Sequence, residues 1–101
     1  MFPLSIRPEA EDDLAAGYDW YEKQREGLGN DFLDEVEKTL TSIESSPELH
    51  PKVHRDIRRA LAGRFPYGIF YTLERELIDV IAILHTSRNP ARWKGRAGKR
   101  R

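Results

Sequence analysis

The hydrophobic pattern of this chain changes period once, and that change constrains the fold more than any other feature. Up to about Ser46 the apolar residues recur every three or four positions; from Ile57 onward they alternate or run on without a break. Ala10, Leu14, Tyr18 and Tyr21 make one helical stripe, and Phe32, Leu33, Val36, Leu40 and Ile43 make a second. Pro8 suits the first position of the earlier helix, where its missing N–H costs nothing, and Glu9, Glu11, Asp12 and Asp13 oppose the positive end of the helix dipole. That helix is predicted to end near Arg25. Gly27-Leu28-Gly29 breaks it, Asn30 or Gly29 caps the second helix, and Ser45-Ser46-Pro47 stops that one. Two amphipathic helices joined by so short a loop lie antiparallel as a hairpin.

Ahead of the helices, Phe2, Leu4 and Ile6 alternate with Pro3, Ser5 and Arg7, as in a short strand with one buried side, and Pro3 argues for a sheet edge. Pro47 to Asp56 reads as a connecting loop. Ile57 to Ala62 is a modest strand; Tyr67, Ile69, Tyr71 and Leu73 then alternate with Gly68, Phe70 and Thr72. Glu74-Arg75-Glu76 is a turn, and Leu77 to His85 is almost wholly apolar, which predicts a strand buried on both faces and central to the sheet. The expected fold class is α+β: an N-terminal strand, an antiparallel helical hairpin, then a three-stranded antiparallel meander, forming one antiparallel sheet with the helices packed on one face.

A chain of 101 residues without cysteine needs one core and no covalent staple; at this size roughly 65% of the extended surface is buried on folding. The longest apolar run, Val80 to Leu84, is too short to cross a bilayer, and no membrane partner is expected. The opening residues do not form a secretory signal, so a cytoplasmic location is expected. Residues 1–93 are read as one domain and residues 94–101 as a basic tail.

Charge is segregated along the chain. Residues 1–50 hold 4 Lys/Arg against 13 Asp/Glu, a net of −9, whereas residues 51–101 hold 13 against 4, a net of +9. A formal net charge of zero therefore says little about partners, because local fields decide binding.

Four sets of residues carry chemistry worth weighing. His50 and His54 are four apart, but Pro51 forbids a regular helix between them, so they read as solvated loop residues and neither metal nor cofactor is expected. His85 closes the last strand and is either a proton-transfer group or a buried histidine bonded to backbone. Arg58, Arg59, Arg64, Arg88 and Arg92, with Trp93 beside them, converge near one end of the sheet if the meander forms; they make either a cationic surface for phosphates or an acidic protein segment, or a set of pairs with the helix acids. Tyr18, Tyr21, Phe32, Tyr67 and Tyr71 are expected in the core. Trp20 lies about 120° off the Leu14 stripe, so it either packs at the hairpin edge or faces a partner.

Read together, Arg7-Pro8-Glu9-Ala10, Trp20-Tyr21, Gly27-Leu28-Gly29 with Phe32, Arg64-Phe65-Pro66-Tyr67-Gly68-Ile69-Phe70-Tyr71, and His85-Thr86-Ser87-Arg88-Asn89-Pro90 with Trp93 resemble the RelE/ParE superfamily of toxins from type II toxin–antitoxin modules. The resemblance spans Ile6 to Trp93 and implies a small α+β toxin neutralised by a cognate antitoxin in a hetero-oligomer, with Trp20 and Arg58 on the antitoxin side. RelE-like members cleave messenger RNA on the ribosome; ParE-like members poison DNA gyrase and need no catalytic constellation. For cleavage, His85 would be the acid and Arg58, Arg59 and Arg64 the phosphate clamps, but the third strand opens Phe-Pro-Tyr-Gly where nucleases present a basic residue, and no base is evident. The pattern resembles the ParE side. It implies inhibition by binding, not an enzyme, with Arg59, Arg64, His85, Arg88, Arg92 and Trp93 engaging gyrase. A ribosome-dependent endoribonuclease acting on mRNA, or an inactive antitoxin-binding relic, are the alternatives.

Overall fold

The computed structural model describes residues 1–97. Strand β1 (Leu4–Ile6) is followed by α1 (Pro8–Gln24) and α2 (Leu28–Ser45), as the apolar stripes require. α1 begins on Pro8, with Glu9 and Glu11 in its first turn and Arg25 as its C-cap. α2 begins earlier than expected, because Gly27 at φ 91° takes the N-cap in place of Gly29 or Asn30; only glycine adopts that left-handed conformation cheaply. The Glu22 carboxylate accepts the amides of Gly27 and Gly29, each at 3.0 Å, so a side chain satisfies N–H groups that a helix start leaves without a partner.

The remaining elements are β2 (Lys52–His54), β3 (Ile57–Leu61), β4 (Tyr67–Glu74), β5 (Leu77–His85) and α3 (Ala91–Ala97). β3, β4 and β5 form the predicted antiparallel meander, but the sheet around it is larger and mixed. Its order is β1-β5-β4-β3-β2. β2 comes from the stretch read as a loop: three residues suffice to pair the outer side of β3, whose backbone groups need partners. β1 joins β5 in parallel, with Leu4 opposite Ile78 and Ile6 opposite Val80. Alternation marks β1 as a strand but carries no information about its neighbour or its sense. β5 is buried from Ile78 to Leu84 as predicted, yet it lies between β1 and β4, so β4 is the middle strand.

Helices also cover both faces, not one. Tyr67, Ile69 and Tyr71 turn toward the hairpin and pack with Phe32, Val36, Ile43, Val80 and Ile83. Phe70 turns the other way, to a smaller cluster with Ile57, Ile81, Ala82, Leu84 and Trp93. Trp93 of α3 stacks on Phe70 with ring centroids 4.4 Å apart. α3 carries one aromatic among charged and small residues, too little for a helical stripe to be legible. Of the aromatics expected inside, Tyr21, Phe32 and Tyr67 interlock with Phe65, the Tyr21–Phe65 and Phe32–Tyr67 centroids each 4.8 Å apart. Tyr71 is fully buried, whereas Tyr18 is only half-buried. Among the described residues no helix is long and apolar enough to cross a membrane.

Candidate functional site

β1 pairs with β5 only as far as Val80, so the last residues of β5 run on beyond their parallel neighbour. An open strand edge invites unwanted pairing, and here side chains from both ends of the chain cover it. Asp13 of α1 accepts the Ile83 amide at 3.0 Å. Arg96 of α3 donates to the same carboxylate at 2.7 Å and to the Ile81 carbonyl at 2.9 Å. Arg7 pairs with Asp79 at 2.8 Å and also donates to the Arg96 carbonyl, tying down the end of α3. These two guanidiniums are fasteners of the fold.

Past this covered edge the chain leaves the sheet, and a cleft of about 480 Å³ opens between α1 and the segment joining β5 to α3. One wall is the α1 face carrying Asp13, Ala16 and Trp20; the other carries His85, Ser87, Arg88 and Arg92, with Tyr67 and Ile83 also lining it. Trp20 is 60% exposed. The Tyr67 and His85 rings meet edge to face at 5.6 Å. His85 Nδ1 accepts from the Ser87 amide at 3.0 Å and lies 2.8 Å from the Ser87 hydroxyl. Because Nδ1 is engaged as an acceptor, a neutral ring carries its proton on Nε2. Burial pushes the Tyr67 hydroxyl above its ordinary range; the Arg88 guanidinium lowers it and the Asp13 carboxylate raises it.

The predicted residues are divided by this geometry. His85, Arg88, Arg92 and Trp20 come together at the cleft. Arg58 and Arg59 do not converge with each other, since consecutive strand residues point to opposite faces. Arg58 is bound to the α2–β2 loop, donating to the His50 carbonyl at 2.7 Å and the Glu48 carbonyl at 3.2 Å. Arg59 lies on the α3 side, its Cγ and Cδ 3.0 Å from where a Cβ on Gly68 would stand. Arg64, after β3, is held toward α2 by Glu35 at 3.5 Å and lies over the Phe65 ring. Trp93 is buried and is a packing residue of the second face.

His50 and His54 are half-buried rather than solvated. His50 Nε2 lies 3.3 Å from the Ser42 hydroxyl, and the His54 ring lies beside Trp93. Burial, then the nearby Arg58 charge, lowers the His50 pKa below 6.5. Of the basic tail, Lys94 is exposed and Arg96 is half-buried, both within α3; residues 98–101 lie outside the described residues. Ser87, Tyr67 and Asp13 belong to the cleft although sequence reasoning does not mark them as site residues. The available signals are the two-residue step from His85 to Ser87, which local side chain–backbone bonds favour, and an acid on the α1 face that also holds Trp20.

A model of the family described as "ParE toxin of type II toxin-antitoxin system, parDE" matches residues 4–90. The chain belongs to the ParE toxin family. The ParE match takes in Trp20, His85 and Arg88 of the cleft and stops before Arg92, Trp93 and Arg96. The fold is similar to a solved structure described as "Chromosomal ParDE TA system from P. aeruginosa", with a TM-score of 0.75 at 17% identity. The alignment covers 84% of this ParE-family chain and 96% of the solved one. No curated protein matches the sequence.

Proposed function

We propose that this ParE-family toxin inhibits growth by binding DNA gyrase, without catalysing a reaction, and that a cognate antitoxin neutralises it in the cytoplasm. The observation that carries the non-enzymatic reading is the dispersal of the ribonuclease set. Cleavage at a 2′-hydroxyl needs an acid, a base and cations around one phosphate. His85 stands beside Tyr67 on the hairpin side, whereas Arg58 holds a loop, Arg59 lies on the other face and Arg64 leans toward α2. Binding requires only an accessible surface, and Arg88 and Arg92 beside Trp20 provide one.

The test is incubation of the purified chain with gyrase and supercoiled plasmid. Trapped cleavage complexes or lost supercoiling support the reading; unchanged gyrase at excess toxin overturns the target. Discrete cuts in message on translating ribosomes, abolished by His85→Ala, would replace binding by cleavage. Normal growth on induction without antitoxin would make the chain an inactive relic.

A further inference from the structure

We infer that Ser87 is a modification site: its hydroxyl, activated by His85 Nδ1, accepts the acyl group of a small acyl phosphate whose phosphate is held by Arg88 and Arg92. This covalent chemistry belongs to the chain itself and is independent of the toxin's target. The acyl group stays on the protein, so the modification is stoichiometric and needs no turnover.

Two donors reach the same imidazole nitrogen. The Ser87 amide lies 3.0 Å from His85 Nδ1, and the Ser87 hydroxyl lies 2.8 Å from it. An amide N–H only donates, so Nδ1 carries no proton and the hydroxyl must donate as well. The hydroxyl proton is thereby aimed at a ring atom able to take it. A serine bonded at this distance to an unprotonated imidazole has the arrangement of an activated nucleophile. Ser87 is exposed and lines the cleft, so its oxygen is open to a donor entering there.

The backbone holds the pair in place. His85 is the last residue of β5 and sits opposite Tyr67 of β4. The Thr86 amide donates to the Pro66 carbonyl at 2.8 Å, and the Arg88 amide closes the turn onto the His85 carbonyl at 3.0 Å. Such preset geometry removes part of the entropic cost of bringing reacting groups together. The contact between Ser42 and His50 differs: it is longer, at 3.3 Å, both residues are half-buried, and the neighbouring Arg58 already donates to loop carbonyls.

The flanking cations select the donor. Arg88 and Arg92 line the cleft with Ser87, both are exposed, and among the described residues neither forms an ion pair. Guanidiniums bind phosphate through paired N–H donors, and on an acyl phosphate they would neutralise the charge that gathers on the leaving group. Ala16 and Trp20 give the opposite wall an apolar surface for the acyl chain.

In the reaction, Oγ forms a bond to the carbonyl carbon as its proton passes to Nδ1, which gives up its contact with the Ser87 amide. The bond from that carbon to the bridging oxygen then breaks. Phosphate leaves with the electron pair and collects the proton from Nδ1. The products are an O-acyl serine and inorganic phosphate, with the imidazole neutral again.

The probe is acetyl phosphate, incubated with the full chain and followed by intact mass and peptide mapping. The expected product is one acetyl group on Ser87, released by alkaline hydroxylamine, which cleaves esters and spares lysine amides. Thr86, equally exposed and one residue away, is the internal control, and the ratio of Ser87 to Thr86 labelling tests the dyad without any substitution. His85→Gln, with its fold checked by circular dichroism, should slow labelling about a hundredfold. Changing Arg88 and Arg92 to Gln should slow labelling by acetyl phosphate about tenfold more than labelling by 4-nitrophenyl acetate, which carries no phosphate. Ser87 labelled no faster than Thr86, a phosphoryl group in place of the acetyl, or folded His85→Gln reacting at the parent rate overturns the proposal. Equal slowing with both donors in the double arginine variant overturns the choice of an acyl phosphate.

Discussion

Asp13 and Arg96 meet at 2.7 Å on the rim of β5, and the same carboxylate oxygen accepts the Ile83 amide at 3.0 Å. Their side chains are 8% and 17% exposed. Removing one partner of so enclosed a pair strands the other, so Arg96→Met should destabilise the fold by about 3 kcal/mol. Adding Asp13→Asn should recover most of the loss, because the amide oxygen still accepts the Ile83 N–H without a charge. Urea unfolding of the single and double variants checks this; equal losses in both would contradict it.

Gly17→Ala should destabilise the protein, against the helix propensity that favours alanine by about 1 kcal/mol. A Cβ at Gly17 would stand 2.9 Å from Phe32 Cε2 and Cζ. Phe32 is fully buried among Tyr21, Phe65 and Tyr67, and has nowhere to move. Overpacking of this kind costs about 1–3 kcal/mol, so the thermal midpoint should fall.

The β4–β5 turn carries Arg75 at φ 52° and Glu76 at φ 63°. A two-residue turn with both centres left-handed favours Asn-Gly and penalises long side chains. Changing Arg75 to Asn and Glu76 to Gly should stabilise the protein by about 1 kcal/mol, read as a higher urea midpoint with an unchanged slope.

Tyr71 donates its hydroxyl to the Pro47 carbonyl at 2.6 Å, and burial pushes its pKa from 10.0 to about 12, with Arg58 opposing. The folded state thus keeps a proton that the unfolded chain releases. Stability from this group is complete below pH 10 and declines as pH rises toward 12. Tyr71→Phe should cost about 1–2 kcal/mol at neutral pH by leaving a buried carbonyl unpaired. It should also flatten the alkaline decline, measured by denaturation at stepped pH.

How far the sequence reveals this molecule depends on the range of the interactions involved. The two helices and the meander are written locally: the stripes from Ala10 to Tyr21 and from Phe32 to Ile43, and the alternation from Tyr67 to Leu73, each fix an element by its own period. β2 and α3 are not, because three residues give no period and Trp93 alone gives no stripe. The cleft is half legible. His85, Arg88 and Arg92 are close in sequence, but their approach to Trp20 depends on α1 crossing the end of β5. By charge alone Arg58 and Arg64 look like partners of His85, and their real contacts, the His50 carbonyl and Glu35, are tertiary.

The parallel seam between β1 and β5 sets an order on biogenesis. Leu4 must wait for Ile78 before it has a strand to lie against, and Arg7 and Asp13 wait longer still for the Arg96 that engages them both. Closure over such distances is slow compared with helix formation. A growing polypeptide can therefore form its helical hairpin early, but it cannot fasten the sheet edge or finish the cleft beside it until Arg96 has been made.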